Sequence, residues 1–134
     1  MIKSSFVVRF TECDPYGIAS HKNYLVWLME CRIDYLKKCG LTEEMLVKDA
    51  INLVIVRVNL TCKNPCTYGD VVIVETKLKH MNKKSIEFTY VAKNEKNDKV
   101  IFEAETVNFV VNKEGKLCSL SDEIFKKLSD TLSE

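Results

Sequence analysis

The segment Glu12-Cys13-Asp14-Pro15-Tyr16-Gly17-Ile18-Ala19-Ser20-His21 places a carboxylate in a turn-forming run that ends where a helical pattern begins. Asp14, held between Cys13 and Pro15 and followed by a permissive Gly17, has the chemistry of a nucleophile or a general base. A helix start at His21 offers backbone N–H groups with no intrahelical acceptor and a partial positive charge, which suits a developing oxyanion. The competing reading of Asp14 is an Asx-turn acceptor that only shapes its loop. At His21 the backbone N–H is one candidate group; the imidazole is another, as cap, substrate contact or general base. Glu12 is acidic and near, and is read as solvated.

The other chemistry-bearing residues form weaker patterns. His21 and His80 fall in different segments and lack a helical i, i+4 partner, so no metal is expected. Cys62 and Cys66 have a spacing loosely compatible with zinc, but no second Cys/His pair follows at a finger-like distance. The six cysteines, at 13, 31, 39, 62, 66 and 118, are scattered in a chain with no export signal, and are read as reduced thiols in a cytoplasmic protein. No redox or other bound cofactor is implied.

The elements that must position Asp14 follow from periodicity. Phe6-Val7-Val8-Arg9-Phe10 reads as a short strand leading into the loop. Over 21–39, Tyr24, Trp27, Leu28, Cys31, Tyr35 and Leu36 recur at helical steps, with Gly40 as the stop. About 18 residues make a helix roughly 27 Å long. Its stripe of Tyr24, Trp27 and Tyr35 reads as core. A short helix over 42–48 begins at the cap Thr42, and strands are expected over 52–61, 70–79, 85–94 and 99–112. Ser121 opens a short amphipathic terminal helix with Ile124, Phe125 and Leu128. This is an α+β pattern, an antiparallel five-stranded sheet wrapped around one long central helix. A hotdog fold and a cystatin-like cone both answer to it, and the loop at Asp14 must decide between them.

Composition sets the remaining bounds. The 134 residues fit a single domain spanning 1–134, and 46% apolar with 29% charged residues is globular. Twenty Lys+Arg against nineteen Asp+Glu leave +1, no field for gathering nucleic acid or an anionic membrane. The longest apolar runs, such as 53–56 and 71–74, fall far short of the ~20 residues that span a bilayer.

The run from Glu12 through His21-Lys22-Asn23-Tyr24 resembles the active-site loop and helix start of the 4-hydroxybenzoyl-CoA thioesterase family, a branch of the hotdog-fold acyl-CoA thioesterases. Asp14, Gly17 and His21 match the family's spacing, and Asn23-Tyr24 opens the helix as in many members. Asn64-Pro65 and Tyr68-Gly69-Asp70 resemble the turn before its third strand, and Lys83-Lys84-Ser85 its next hairpin. The resemblance covers the whole chain and implies a hotdog fold and hydrolysis of an acyl-CoA to free acid and coenzyme A. Asp14 would be nucleophile or general base, the backbone N–H at His21 would polarise the carbonyl, and Gly17 and Tyr24 would contact substrate. Lys83 and Lys84 would receive the nucleotide phosphates, although a solvated hairpin is the plain reading of both. Lys63 and Arg57 are weaker phosphate candidates. Asn82 stands where the better-known member is basic, Ala19 where many relatives carry valine, and Ser121 where many carry proline. The resemblance also implies a homodimer or homotetramer, with pockets at the dimer interface. The alternatives are a thioesterase acting on acyl-carrier-protein thioesters, a hotdog hydratase or dehydratase, for which no clear acid/base pair is present, and a non-catalytic acyl-CoA-binding module.

Overall fold

In a computed structural model that describes residues 1–132, β1 (Ile2–Val7) leads through a single 3-10 turn (Phe10–Glu12) to α1 (Lys22–Lys38) and α2 (Glu43–Lys48). Then come β2 (Asn52–Cys62), β3 (Val71–Met81), β4 (Ser85–Asn94), β5 (Val100–Val111) and α3 (Asp122–Ser129). The strands form one sheet in the order β1-β3-β4-β5-β2, every neighbouring pair antiparallel. Consecutive hairpins join β3 to β4 and β4 to β5, and the sheet's two edges are β1 and β2.

Strict alternation makes the sheet two-faced. In β4, Ile86, Phe88, Tyr90 and Ala92 are buried while Glu87, Thr89, Val91 and Lys93 face outward. Phe102 and Ala104 of β5 and Val72 and Val74 of β3 continue the inner face. The helical stripe read from the sequence lies against this face: Tyr24, Trp27, Leu28, Cys31, Tyr35 and Leu36 are all buried. Tyr24 stacks on Phe102 with ring centroids 4.6 Å apart, and Tyr35 meets Phe88 edge-on at 5.2 Å, so α1 rests on the sheet at both its ends.

Polar groups fix the helix further. The Arg32 guanidinium donates to Leu53 O at 3.1 Å and Asn108 Oδ1 at 2.9 Å. Asn108, fully buried, donates to Ile86 O and Thr106 Oγ1, and Thr106 Oγ1 in turn lies 2.8 Å from the Tyr90 hydroxyl. The helix stops at Gly40, whose φ of +81° permits Leu41 N–H to reach back to Leu36 O. Ser121 caps α3 by accepting from Ile124 N–H.

The largest boundary difference from the sequence expectation is in the opening strand, the others shifting by one or two residues. The opening strand is Ile2–Val7, not 6–10, because β1 pairs with β3 from Ile2↔Thr76 to Val7↔Val71, and Ser4 is buried with its hydroxyl on Asp34 Oδ2. Phe10 belongs to the turn and is 76% exposed. The six cysteines are free thiols, and no helix among the described residues is long and apolar enough to cross a membrane.

Candidate active site

Residues 12–20 fold back on themselves as a small loop bridged at Cys13↔Ala19 and fastened to the β2–β3 connection at Ile18↔Thr67. Ala19 N–H donates to Cys66 O and Ser20 N–H to Glu12 O, both at 2.8 Å. At its tip, Asp14 does what an Asx-turn requires: Oδ1 accepts from Tyr16 N–H at 2.8 Å and Ile18 N–H at 3.2 Å. Gly17 completes the turn with φ +79°, a conformation that costs an L side chain strain. The second carboxylate oxygen, Oδ2, accepts no hydrogen bond among the described residues. The shaping role therefore leaves one oxygen of the same carboxylate unspent.

The loop delivers the chain to α1 with its first donors unspent. Asn23 N–H and Tyr24 N–H bond back to Ser20 O and His21 O, whereas the N–H groups of His21 and Lys22 meet no acceptor among the described residues. His21 is the N-cap, and its imidazole makes no capping bond. His21 and Asp14 border the same cleft of about 480 Å³, whose far wall is formed by residues 62–65 at the end of β2. Tyr24 lies at its base, buried, with its hydroxyl 3.7 Å from Cys66 Sγ. Burial, and then the Cys66 contact, push the Tyr24 phenol far above its ordinary range, so it stays a neutral hydroxyl. Burial likewise raises the Cys66 thiol, which is therefore protonated and inert.

Of the residues singled out from the sequence, Asp14, His21 and Tyr24 come together at this cleft, and Gly17 shapes the loop beside it. Lys83 and Lys84 do not line it. Lys83 is ion-paired to Asp122 at the start of α3 and sits 5.9 Å above the Phe125 ring, so the hairpin packs against the terminal helix of its own chain. Lys63 does line the cleft, while Arg57 is exposed in the middle of β2. Cys62, Asn64 and Pro65 border it too; the Asn64-Pro65 turn was visible in the sequence, but only β-sheet topology brings it to Asp14 across some fifty residues.

Glu12 is a correction: it is 5% exposed, not solvated. Its Oε1 accepts from Arg9 N–H at 2.8 Å and its Oε2 from Trp27 Nε1–H at 3.2 Å. Burial alone would raise this carboxyl; the bonds from Arg9 and Trp27 outweigh it and hold the group below the usual range, ionised.

Comparison with known proteins identifies the family and the fold. Residues 8–128 match the Thioesterase-like superfamily. The 4-hydroxybenzoyl-CoA thioesterase of Pseudomonas sp. strain CBS-3 is 32% identical over 81 residues, 58% of this chain and 57% of that one. Its solved structure superposes with a TM-score of 0.86 at 24% identity, covering 94% of this chain and 97% of that. A hypothetical protein from Thermus thermophilus superposes at 0.89 with 25% identity, over 96% and 98% of the two chains. The hotdog fold is thus shared along nearly the whole chain, and the chain belongs to the Thioesterase-like superfamily, as a hotdog-fold thioester hydrolase of the group that includes 4-hydroxybenzoyl-CoA thioesterase.

Proposed function

We propose that this chain hydrolyses acyl-CoA thioesters at the Asp14 cleft, releasing a carboxylic acid and coenzyme A. The observation that carries the reading is a carboxylate oxygen with no hydrogen-bond partner among the described residues, Asp14 Oδ2, on the same cleft as His21, whose N–H opens the helix unspent with that of Lys22 behind it. A thioester carbonyl bound there would point its oxygen at the helix start, where the N–H groups stabilise the charge that develops on attack. In one form of the reaction, Oδ2 attacks the carbonyl carbon, the C–S bond breaks, coenzyme A leaves as its thiolate, and water hydrolyses the acyl-aspartyl anhydride. In the other, Oδ2 takes a proton from water as it attacks the carbonyl, and the thiolate leaves in the same way. The His21 backbone is the donor in both, Gly17 holds the loop, and Tyr24 presents a neutral hydroxyl to the bound thioester.

The test is Asp14→Asn, assayed by free-thiol release from a panel of aromatic, short-chain and medium-chain acyl-CoAs. Asparagine keeps the Oδ1 acceptor that shapes the loop and removes the charge on the other atom. A loss of about 10²- to 10⁴-fold in kcat is expected, with the fold retained. A folded variant as fast as wild type would refute the assignment.

The assembly follows from the sheet edges. β2 is an edge strand of 11 residues whose stretch 56–59 is exposed, including Val56 and Val58. An apolar edge of this length invites a partner, and antiparallel pairing of two β2 strands would make one ten-stranded sheet, a homodimer that can pair again to a homotetramer. Sedimentation of the wild type checks this; a monomer at assay concentration would contradict it. Six free thiols fit a reducing, cytoplasmic setting.

A further inference from the structure

Glu12 is joined to more of the site's framework than any other side chain near it, yet it does not border the cleft. Its carboxylate holds Arg9 N–H, on the segment entering the loop, and Trp27 Nε1–H, on the second turn of α1. Its backbone carbonyl accepts from Ser20 N–H, on the segment leaving the loop, and from Asn23 Nδ2 at 2.8 Å, in the first turn of the helix. Trp27 is itself clamped between Phe6 of β1, stacked at 5.3 Å, and Tyr24 at the base of the cleft, at 5.2 Å. One residue thus ties both ends of the Asp14 loop to the helix whose N-terminus faces Asp14.

We infer that Glu12 is the positioning residue that sets the Asp14 carboxylate against the N-terminus of α1. The inference rests on the Asp14 reading above. Only an ionised carboxylate satisfies the geometry, because both of its oxygens face N–H donors. Glutamine would turn an NH₂ toward one of them, so either the Arg9 or the Trp27 anchor opens and the loop shifts relative to the helix. Displacements under about 1 Å between reacting groups can cost up to about 100-fold in rate. Substrate binding, which draws on the cleft walls at residues 62–65 and on Tyr24, is affected far less.

The experiment compares wild type, Glu12→Gln, Trp27→Phe and the double variant for kcat and KM on the best acyl-CoA of the panel, with circular dichroism to confirm folding. Glu12→Gln is expected to lower kcat by about tenfold or more with KM within about twofold. Trp27→Phe removes one anchor and should lower kcat in the same manner, and the double variant should be little worse than Glu12→Gln alone, since both changes cut one link. A folded Glu12→Gln with kcat near wild type overturns the inference, as do losses in kcat that multiply in the double variant. If Glu12→Gln does not fold, Trp27→Phe decides: unchanged kcat overturns, reduced kcat at steady KM supports. Failure of the Asp14 reading is separately visible, as an Asp14→Asn protein that still turns over.

Discussion

The buried polar chain from Arg32 through Asn108 and Thr106 to Tyr90 should be the most sensitive point of the fold outside the apolar core, and Asn108→Leu tests it. Leucine keeps the branching of asparagine at a larger volume, so no cavity is created and the cost is polar, with a smaller contribution from overpacking at a fully buried position. The substitution removes the acceptor of the Arg32 guanidinium at 2.9 Å and the donors to Ile86 O and Thr106 Oγ1 at 3.2 and 3.1 Å. A hydrogen bond to a charged group is worth about 1.5–3 kcal/mol, and stranding a buried carbonyl about 1–3 kcal/mol more. Arg32 keeps Leu53 O, and leucine returns some apolar burial, so a net loss of roughly 3–4 kcal/mol is expected. With an unfolding entropy of about 2.1 cal/mol/K per residue, 134 residues give roughly 0.28 kcal/mol/K, and the melting midpoint should fall by about 11–14 °C. Thermal and urea unfolding followed by circular dichroism, at one protein concentration, measures this. Adding Arg32→Leu should restore part of the loss, because the stranded charge goes with its partner. A single variant within about 1 kcal/mol of wild type would refute the claim that these side chains form one closed network.

Three further outcomes are expected. Gly17→Ala should cost about 1–2 kcal/mol through its φ of +79° alone, since no atom lies within 4 Å of the added Cβ; Tm and kcat both report it, and an unchanged Tm would show that the loop relaxes freely. Asp70 is raised by burial but held below the usual carboxylate range by Thr67 N–H and Lys96, so its contribution is present above the ordinary pKa and lost as pH falls through the depressed one. Asp70→Asn should flatten the acid limb of a stability–pH curve, and an equally steep limb would assign that limb to other groups such as Glu12. Because neither Lys83 nor Lys84 lines the cleft and Lys83 is paired to Asp122, replacing both by alanine should leave KM for acyl-CoA near wild type; a severalfold rise for acyl-CoA but not for a pantetheine thioester would instead give the hairpin a nucleotide role.

What the sequence revealed of this fold depended on whether the determining forces were local. β4 is legible to the residue, Ser85–Asn94, because its alternation is unbroken, and α1 to within a residue, because its apolar stripe ends at a glycine. β1 was misplaced because its strand character comes from pairing with β3 some seventy residues away, and Ser4 enters the core only because Asp34 on α1 receives its hydroxyl. Glu12 was misread for the same reason. An acidic residue in a loop reads as solvated unless it is known that Arg9 N–H and Trp27 Nε1–H converge on it. The far wall of the cleft, at residues 62–65, reaches Asp14 only through the sheet.

On the function proposed above, a shaping role and a chemical role need not compete for Asp14. Oδ1 is spent on Tyr16 and Ile18 N–H, and that expense fixes where Oδ2 stands. A serine or asparagine could supply the first oxygen but not a second with charge. A glutamate would carry the charge on a longer arm that no longer matches the N–H groups of residues 16 and 18. Aspartate alone combines a short reach, two equivalent oxygens and ionisation at neutral pH. The loop is therefore built from the same side chain it presents, and the donor at His21, on the same cleft, need only be left unspent at the helix start. On that reading, rigidity of the nucleophile or base and polarisation of the carbonyl have separate structural sources, the Asx-turn for one and the helix start for the other, with the inferred role of Glu12 to hold the two in register.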